Sequence, residues 1–174
     1  MADILVRLAT PDDGAAYHHF MDAIYSENLD TLIPPAASTK LEFTYRYVIQ
    51  HDAVRSALFL AEAAGRIVGA ANFTRFVRLE TDHTIGVGLY VDKSSRGRGI
   101  GRRLMEAGIA WANSVPDIER IELLVMENNR EALGLYESLG FVYEGLKRAA
   151  VKKPHGYFNI VVMALLMKQA ANIS

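Results

Sequence analysis

The chain has 174 residues, of which 51% are hydrophobic and 22% charged, with a formal net charge of −1 and no cysteine. That length supports one domain with a full apolar core over 1–174. The balanced charge excludes an overall field that would draw the protein to nucleic acid or membrane, and the missing cysteine excludes disulfides and a thiol nucleophile and fits a reducing, cytoplasmic setting.

The opening "MADILVRLAT" has an acid at Asp3 and no basic segment ahead of a long apolar run, so it does not read as a signal peptide. "ILVRLA" (Ile4–Ala9) predicts a first strand. "TPDD" offers a cap at Thr10 and a proline at the first helical position, predicting a helix to about Ser26. "ENLDTLIPPAAS" breaks the pattern as a loop, and Thr39 with Glu42 has the capping-box form that opens a second helix to about Val54. "ALFLAEAAGRIVGAANFTRFVRL" reads as a hairpin turning near Ala64–Arg66, and His83–Val91 as a fourth strand. A helix from about Gly99 to Ser114 carries Ile100, Leu104, Ala107 and Trp111 on one face. Arg120–Met126 is a fifth strand, and "NREALGLYESLG" a helix capped by Asn128 or Asn129 and stopped by Gly140. Two more strands follow, joined at "KKPHG". Their apolar run Ile160–Met167 is too short to span a bilayer. The order β-α-α-β-β-β-α-β-α-β-β describes a mixed α/β domain of about seven strands and four helices.

"SSRGRGIGRRLMEAG" (Ser94–Gly108) stands between the fourth strand and its helix. A strand, a glycine turn and a helix start make an anion site. The first helical N–H groups lack internal partners, the dipole adds partial positive charge, and glycines let the backbone come close. The spacing fits neither a P-loop nor a dinucleotide fingerprint, whose third glycine would fall at Arg102. What it fits is Arg-x-x-Gly-x-Gly, at Arg96, Gly99 and Gly101. Read without its context, the same cluster is a plain turn with solvated arginines.

This loop resembles the pyrophosphate loop of the GNAT superfamily of acetyl-CoA-dependent N-acetyltransferases. The resemblance extends to the strand "GLYVD", the helix that follows, and "ENNREALGLYESLGF", with Asn129, Tyr136, Gly140 and Phe141 at the family's spacing. It covers about Gly86 to Leu166; the first eighty residues agree only in the order of their elements. It implies a central mixed, mostly antiparallel seven-stranded sheet, splayed after the fourth strand, with acetyl-CoA in the opening as co-substrate and no metal. It also implies direct attack by an amine in a ternary complex. By the same resemblance the backbone from Arg96 through Gly97, Arg98, Gly99, Ile100, Gly101 and Arg102 would hold the pyrophosphate. Leu89, Tyr90 and Val91 would pair with the pantetheine arm, Asn129 would hydrogen-bond it, and Tyr136 would protonate the leaving thiolate. A phenol, with a pKa near 10, carries its proton at neutral pH. Tyr136 also reads simply as a core aromatic beside Leu133 and Leu139.

The base for the amine is less clearly marked. Some relatives carry a glutamate where this chain has Leu124. Glu122, two residues earlier on the same strand face, and His83 are the candidates, and each also reads as an ordinary charge at a sheet end or turn. Glu27, Asp30 and Tyr157 lie in segments that would face the acceptor, as do Lys152, Lys153 and His155; any of these charges also reads as a solvated loop residue. The last third is most similar to small bacterial members acting on free amino acids or peptide amino termini. Polyamine and aminoglycoside acetyltransferases share the same motifs, although the chain's lack of acidic character disfavours a polyamine. An acyl-CoA-binding sensor without turnover is the alternative of a different class. A homodimer is the expected assembly, with no nucleic-acid or membrane partner.

Overall fold

The computed structural model describes residues 3–27, 29–32, 56–76 and 78–167. The helix expected from Thr39 to Val54 lies outside them. β1 (Leu5–Leu8) leads into a short 3-10 turn, Pro11–Asp13, and then α1 (Gly14–Ser26). The turn forms because Asp13 reaches back: its carboxylate accepts from the Thr10 N–H at 2.7 Å and the Thr10 hydroxyl at 3.0 Å. Arg7 clamps the same carboxylate with two bonds, 2.6 and 2.8 Å long. β2 (Ser56–Ala63) and β3 (Arg66–Arg75) form the expected hairpin. Ala64 and Gly65 both have positive φ, 50° and 72°, in the two-residue turn whose twist matches the strands. β4 (Thr84–Val91), α2 (Ile100–Ser114), β5 (Arg120–Met126), α3 (Arg130–Ser138), β6 (Val142–Lys153) and β7 (Gly156–Leu166) complete the described strands and α-helices.

The seven strands form one sheet in the order β1-β2-β3-β4-β5-β7-β6. Every pairing is antiparallel except β4 with β5. This is the mixed seven-stranded sheet expected from the sequence, with three α-helices among the described residues.

Strand alternation assigns the two faces. Ala57, Phe59, Ala71, Phe73, Ile85, Ile121, Leu123 and Val125 point to the side covered by α2 and α3. Leu58, Leu60 and Ala70 point to the side covered by Tyr17, Phe20, Met21 and Ile24 of α1, where Tyr90 also packs. Within the larger core Phe73 is fully buried, edge-on to Phe59 and tilted against Trp111. Its ring occupies the space that a side chain at Gly108 of α2 would need.

The parallel pairing is short. Thr84, Ile85 and Gly86 pair with Arg120, Ile121 and Glu122, and there it stops. Beyond that point β4 runs on with β3, and β5 with β7. The sheet therefore splits in its middle. On the α1 side the split is bridged at its outer end, where Lys153 and His155 near the β6–β7 turn contact Asp30 at 3.6 and 3.0 Å and the Lys153 ammonium donates to the Leu29 carbonyl.

Candidate active site

The split opens into a cleft of about 770 Å³. The glycine loop forms one end of it. Gly97 and Gly99 adopt φ of 72° and 74°, the left-handed region that L side chains avoid. The second of these turns the chain directly into α2, for which Gly99 is the N-cap. Arg103 is the first residue of the helix whose N–H is met internally, by the Gly99 carbonyl at 3.1 Å. The N–H groups of Ile100, Gly101 and Arg102 thus start the helix without intrahelical partners, at its positive end. Gly101 differs from Gly99. Its backbone is helical, and a Cβ there would meet Leu135 at 3.3 Å and Leu89 at 3.4 Å, so its smallness serves packing between α2, α3 and β4.

The arginines divide their tasks. Arg96 folds back, donating to the Val91 carbonyl at 3.0 Å and to Glu27 at 2.7 Å, and so ties the loop to the ends of β4 and α1. Arg102 donates to the Ser138 hydroxyl at 2.6 Å. Arg98 is exposed. Next to the loop, Leu89, Tyr90 and Val91 line the cleft on the stretch of β4 that has lost its β5 neighbour. Their backbone groups on that side are available to an extended ligand. Leu89 and Val91 send their side chains to the α2 face and Tyr90 sends its phenol to the α1 face.

Across the split, Asn129 caps α3 with its carboxamide oxygen, which accepts from the Ala132 N–H at 3.2 Å. That leaves its NH₂ group for the cleft. The turn beneath it is pinned: Asn159 of β7 donates to Glu127 at 2.8 Å and accepts from the Ala149 N–H at 2.8 Å. Tyr136 lies seven residues on, nearly two turns, on the same side of α3. It is 7% exposed, tilted against Phe141, and lines the cleft. Burial pushes its phenol pKa up, and the Tyr90 phenol adds to the shift. It therefore keeps its proton well into the alkaline range.

The other predicted residues are distributed unevenly. Glu122 lines the cleft on the α1 face, with its carboxylate held by Arg120 at 3.0 Å. Leu124, 46% exposed, lines the same face. His83 is not among the lining residues; it lies in the turn just before β4, and its carbonyl accepts from the Glu119 N–H at 2.9 Å. Glu27 is engaged by Arg96, and Asp30 by Lys153 and His155. Tyr157 is 65% exposed beneath the Lys152 ammonium, outside the cleft lining.

Residues 21–141 match the Acetyltransferase (GNAT) family. The chain belongs to the GNAT family. Its split sheet and left-handed glycine loop are how this member builds the opening. Over 92 residues it is 39% identical to the N-alpha-acetyltransferase RimI of Mycobacterium tuberculosis, covering 51% of this chain and 53% of that protein. Over 85 residues it is 33% identical to a probable spermine N(1)-acetyltransferase of Bacillus subtilis subsp. natto, covering 47% of this chain and 56% of that protein. The chain thus spans about half the length of these relatives. The crystal structure of a GNAT-family acetyltransferase from Streptococcus pneumoniae superposes with a TM-score of 0.84 at 26% identity, covering 95% of this chain and all of the other.

Several lining residues of this GNAT chain are not apparent in its sequence. Asn72 and Thr74 of β3, the Tyr90 side chain, and Phe76 face the cleft on its α1 side. The signal that brings them there is register, Asn72 opposite Gly88 and Thr74 opposite Gly86, which spacing within one strand does not reveal.

Proposed function

We propose that the protein is an acetyl-CoA-dependent N-acetyltransferase that acts on a primary amine, on a free amino acid or a peptide amino terminus, by direct attack in a ternary complex. The observation that carries this reading is the junction of the left-handed glycine loop with an unpaired stretch of β4, opposite a buried, proton-bearing phenol. Acetyl-CoA, when bound, supplies an activated acetyl thioester. The chain's own groups do the rest. The free N–H groups at the start of α2 hold the pyrophosphate. The open edge from Leu89 to Val91 pairs with the amide-rich arm, and the Asn129 NH₂ group donates to it. Backbone N–H groups of the same edge stabilise the developing oxyanion. Tyr136 donates its proton to the departing sulfur. Glu122, fixed by Arg120, accepts the amine's proton through water. The single domain is read as a cytoplasmic homodimer without a nucleic-acid or membrane partner, an assembly that sedimentation at micromolar concentration checks. No helix among the described residues is long and apolar enough to cross a membrane.

Tyr136→Phe tests the reading. It removes one hydroxyl and little volume, so acetyl-CoA binding and melting temperature should barely change. Turnover should fall by roughly 10²-fold or more, as expected where proton donation assists the leaving group. A variant with unchanged kcat on a good amine, and no pre-steady-state burst to mask chemistry, refutes the donor role. Acetyl-CoA binding with no thiol release across a panel of amines points instead to a sensor.

A further inference from the structure

The cleft contains a polar atom that the fold leaves unmatched. The carboxamide oxygen of Asn72 is wholly buried and has no hydrogen-bond partner among the described residues. Buried acceptors are rarely left this way, and an exception calls for an explanation. Asn72 lies on β3 directly opposite Gly88 of β4. A Cβ at position 88 would come within 2.5 Å of the Asn72 oxygen and 3.2 Å of the Tyr90 hydroxyl. Gly88 is therefore what admits the carboxamide over β4, and two polar groups converge on that spot. The Tyr90 ring packs edge-on against that of Tyr25, and burial holds both phenols in the protonated form.

Apolar side chains among the described residues flank this polar spot. Leu29, Leu32, Phe76 and Leu124 line the same side of the cleft, and the one carboxylate there among the described residues, Glu122, is already paired with Arg120. Strand parity puts Asn72 on the α1 face, whereas Tyr136 belongs to the core on the α2–α3 face. A nucleophile held by Asn72 and a leaving group served by Tyr136 would meet the reacting carbonyl from opposite sides of the sheet. The attacking amine and the departing sulfur are then served by separate groups.

We propose that Asn72 orients the attacking amine, its carboxamide turning from Gly88 into the cleft so that the oxygen accepts one N–H of a primary monoamine whose apolar substituent rests on Leu29, Leu32, Phe76 and Leu124. This rests on the acetyl-transfer reading. The amine nitrogen adds to the thioester carbonyl to form the C–N bond, and the C–S bond breaks as the resulting oxyanion collapses. One amine proton passes through water to Glu122, and the thiolate takes one from Tyr136. Both groups are reset by exchange with solvent, and Asn72 accepts a hydrogen bond and no proton. A polyamine fits this side poorly, because its further cations would face Leu29, Leu32, Phe76 and Leu124.

The test uses wild type, Asn72→Leu and Asn72→Ala, with L-leucinamide and spermidine as acceptors and thiol release as the assay. Both variants should lose roughly 10- to 100-fold in kcat/KM for leucinamide, the range for a hydrogen bond to a charged or polarised group. The KM for acetyl-CoA and the melting shift it produces should stay within about twofold. The free Asn72→Leu protein should melt no lower than wild type, because an unpaired acceptor has been removed. Wild type should prefer leucinamide to spermidine. Unchanged leucinamide kinetics, a parallel rise in acetyl-CoA KM, a lowered melting temperature accompanying the loss, or a preference for spermidine would each overturn the proposal and leave the acetyl-transfer reading standing. A wild-type protein that binds acetyl-CoA and releases no thiol with either amine overturns both.

Discussion

Gly99→Ala isolates what the glycine loop contributes. Gly99 has φ 74° and ψ 8°, and a Cβ there would meet no protein atom within 4 Å. The penalty is therefore conformational, not steric. An L-residue in the left-handed region loses about 1–2 kcal/mol, which for a chain of this size lowers the melting temperature by about 2–8 °C. Gly99→Asn should lose less, because asparagine visits this region more readily. Gly101→Ala is the control. Its φ is helical, its new methyl would press on the flexible tips of Leu135 and Leu89, and alanine is the better helix former, so the melting temperature should stay near wild type. Ligand affinity should separate the same pair. If Gly99→Ala re-aims the N–H groups of Ile100 to Arg102, one lost charge-assisted bond, about 1.5–3 kcal/mol, weakens acetyl-CoA binding roughly 10- to 150-fold. Thermal melts with and without acetyl-CoA, together with calorimetric titration, read both effects. A Gly99→Ala protein that melts and binds like wild type, or a Gly101→Ala protein that loses more than Gly99→Ala, would refute the assignment of the left-handed turn as the anion cradle.

Gly108→Ala should destabilise through the core, since its methyl would enter the space of the Phe73 ring, which Phe59 and Trp111 hold in place. Overpacking of about 1–3 kcal/mol corresponds to a fall of about 2–12 °C, and Phe73→Leu in that background should recover part of it. Stability should also carry an acid limb from Asp13. The Arg7 guanidinium holds that carboxylate well below its ordinary range, so the unfolded chain binds the proton more readily. The contribution is then complete above about pH 4 and is lost as the pH falls further. Asp13→Asn should lower the melting temperature at pH 7 and flatten that limb in a pH series.

Much of the frame was legible in the sequence because it is written in local chemistry. β5 runs over the predicted Arg120–Met126, and α2 ends at the predicted Ser114. Asn129 is one of the two caps named for α3. Periodicity, caps and glycine punctuation act within a few residues and need no tertiary knowledge. The loop's position between β4 and α2 was equally plain. What stayed hidden depends on pairing between distant strands. No spacing rule reveals that Asn72 faces Gly88, that β4 and β5 part after Gly86, or that Arg96 turns from the loop to Glu27. The differing tasks of Gly99 and Gly101 were also invisible, because one is set by φ and the other by Leu135 across the interface.

The split sheet has one more consequence. Strand edges are templates for pairing with other chains, and proteins guard them. One of the two outer edges, β6, is interrupted by two irregularities and carries Lys147, Arg148 and Lys152. The split adds two further edges, β4 beyond Gly86 and β5 beyond Glu122, in the middle of the molecule. Neither has such protection along its own length, yet α1 covers one face, α2 and α3 cover the other, and Asp30 with Lys153 and His155 bridges the outer end. A slender extended chain can enter, and a second protein's strand, with bulky side chains on both faces, is kept out. Resistance to aggregation at this seam thus rests on the helices. Substitutions that loosen α1 or α3 from the sheet, more than substitutions in the strands themselves, are the ones expected to leave the free protein prone to self-association.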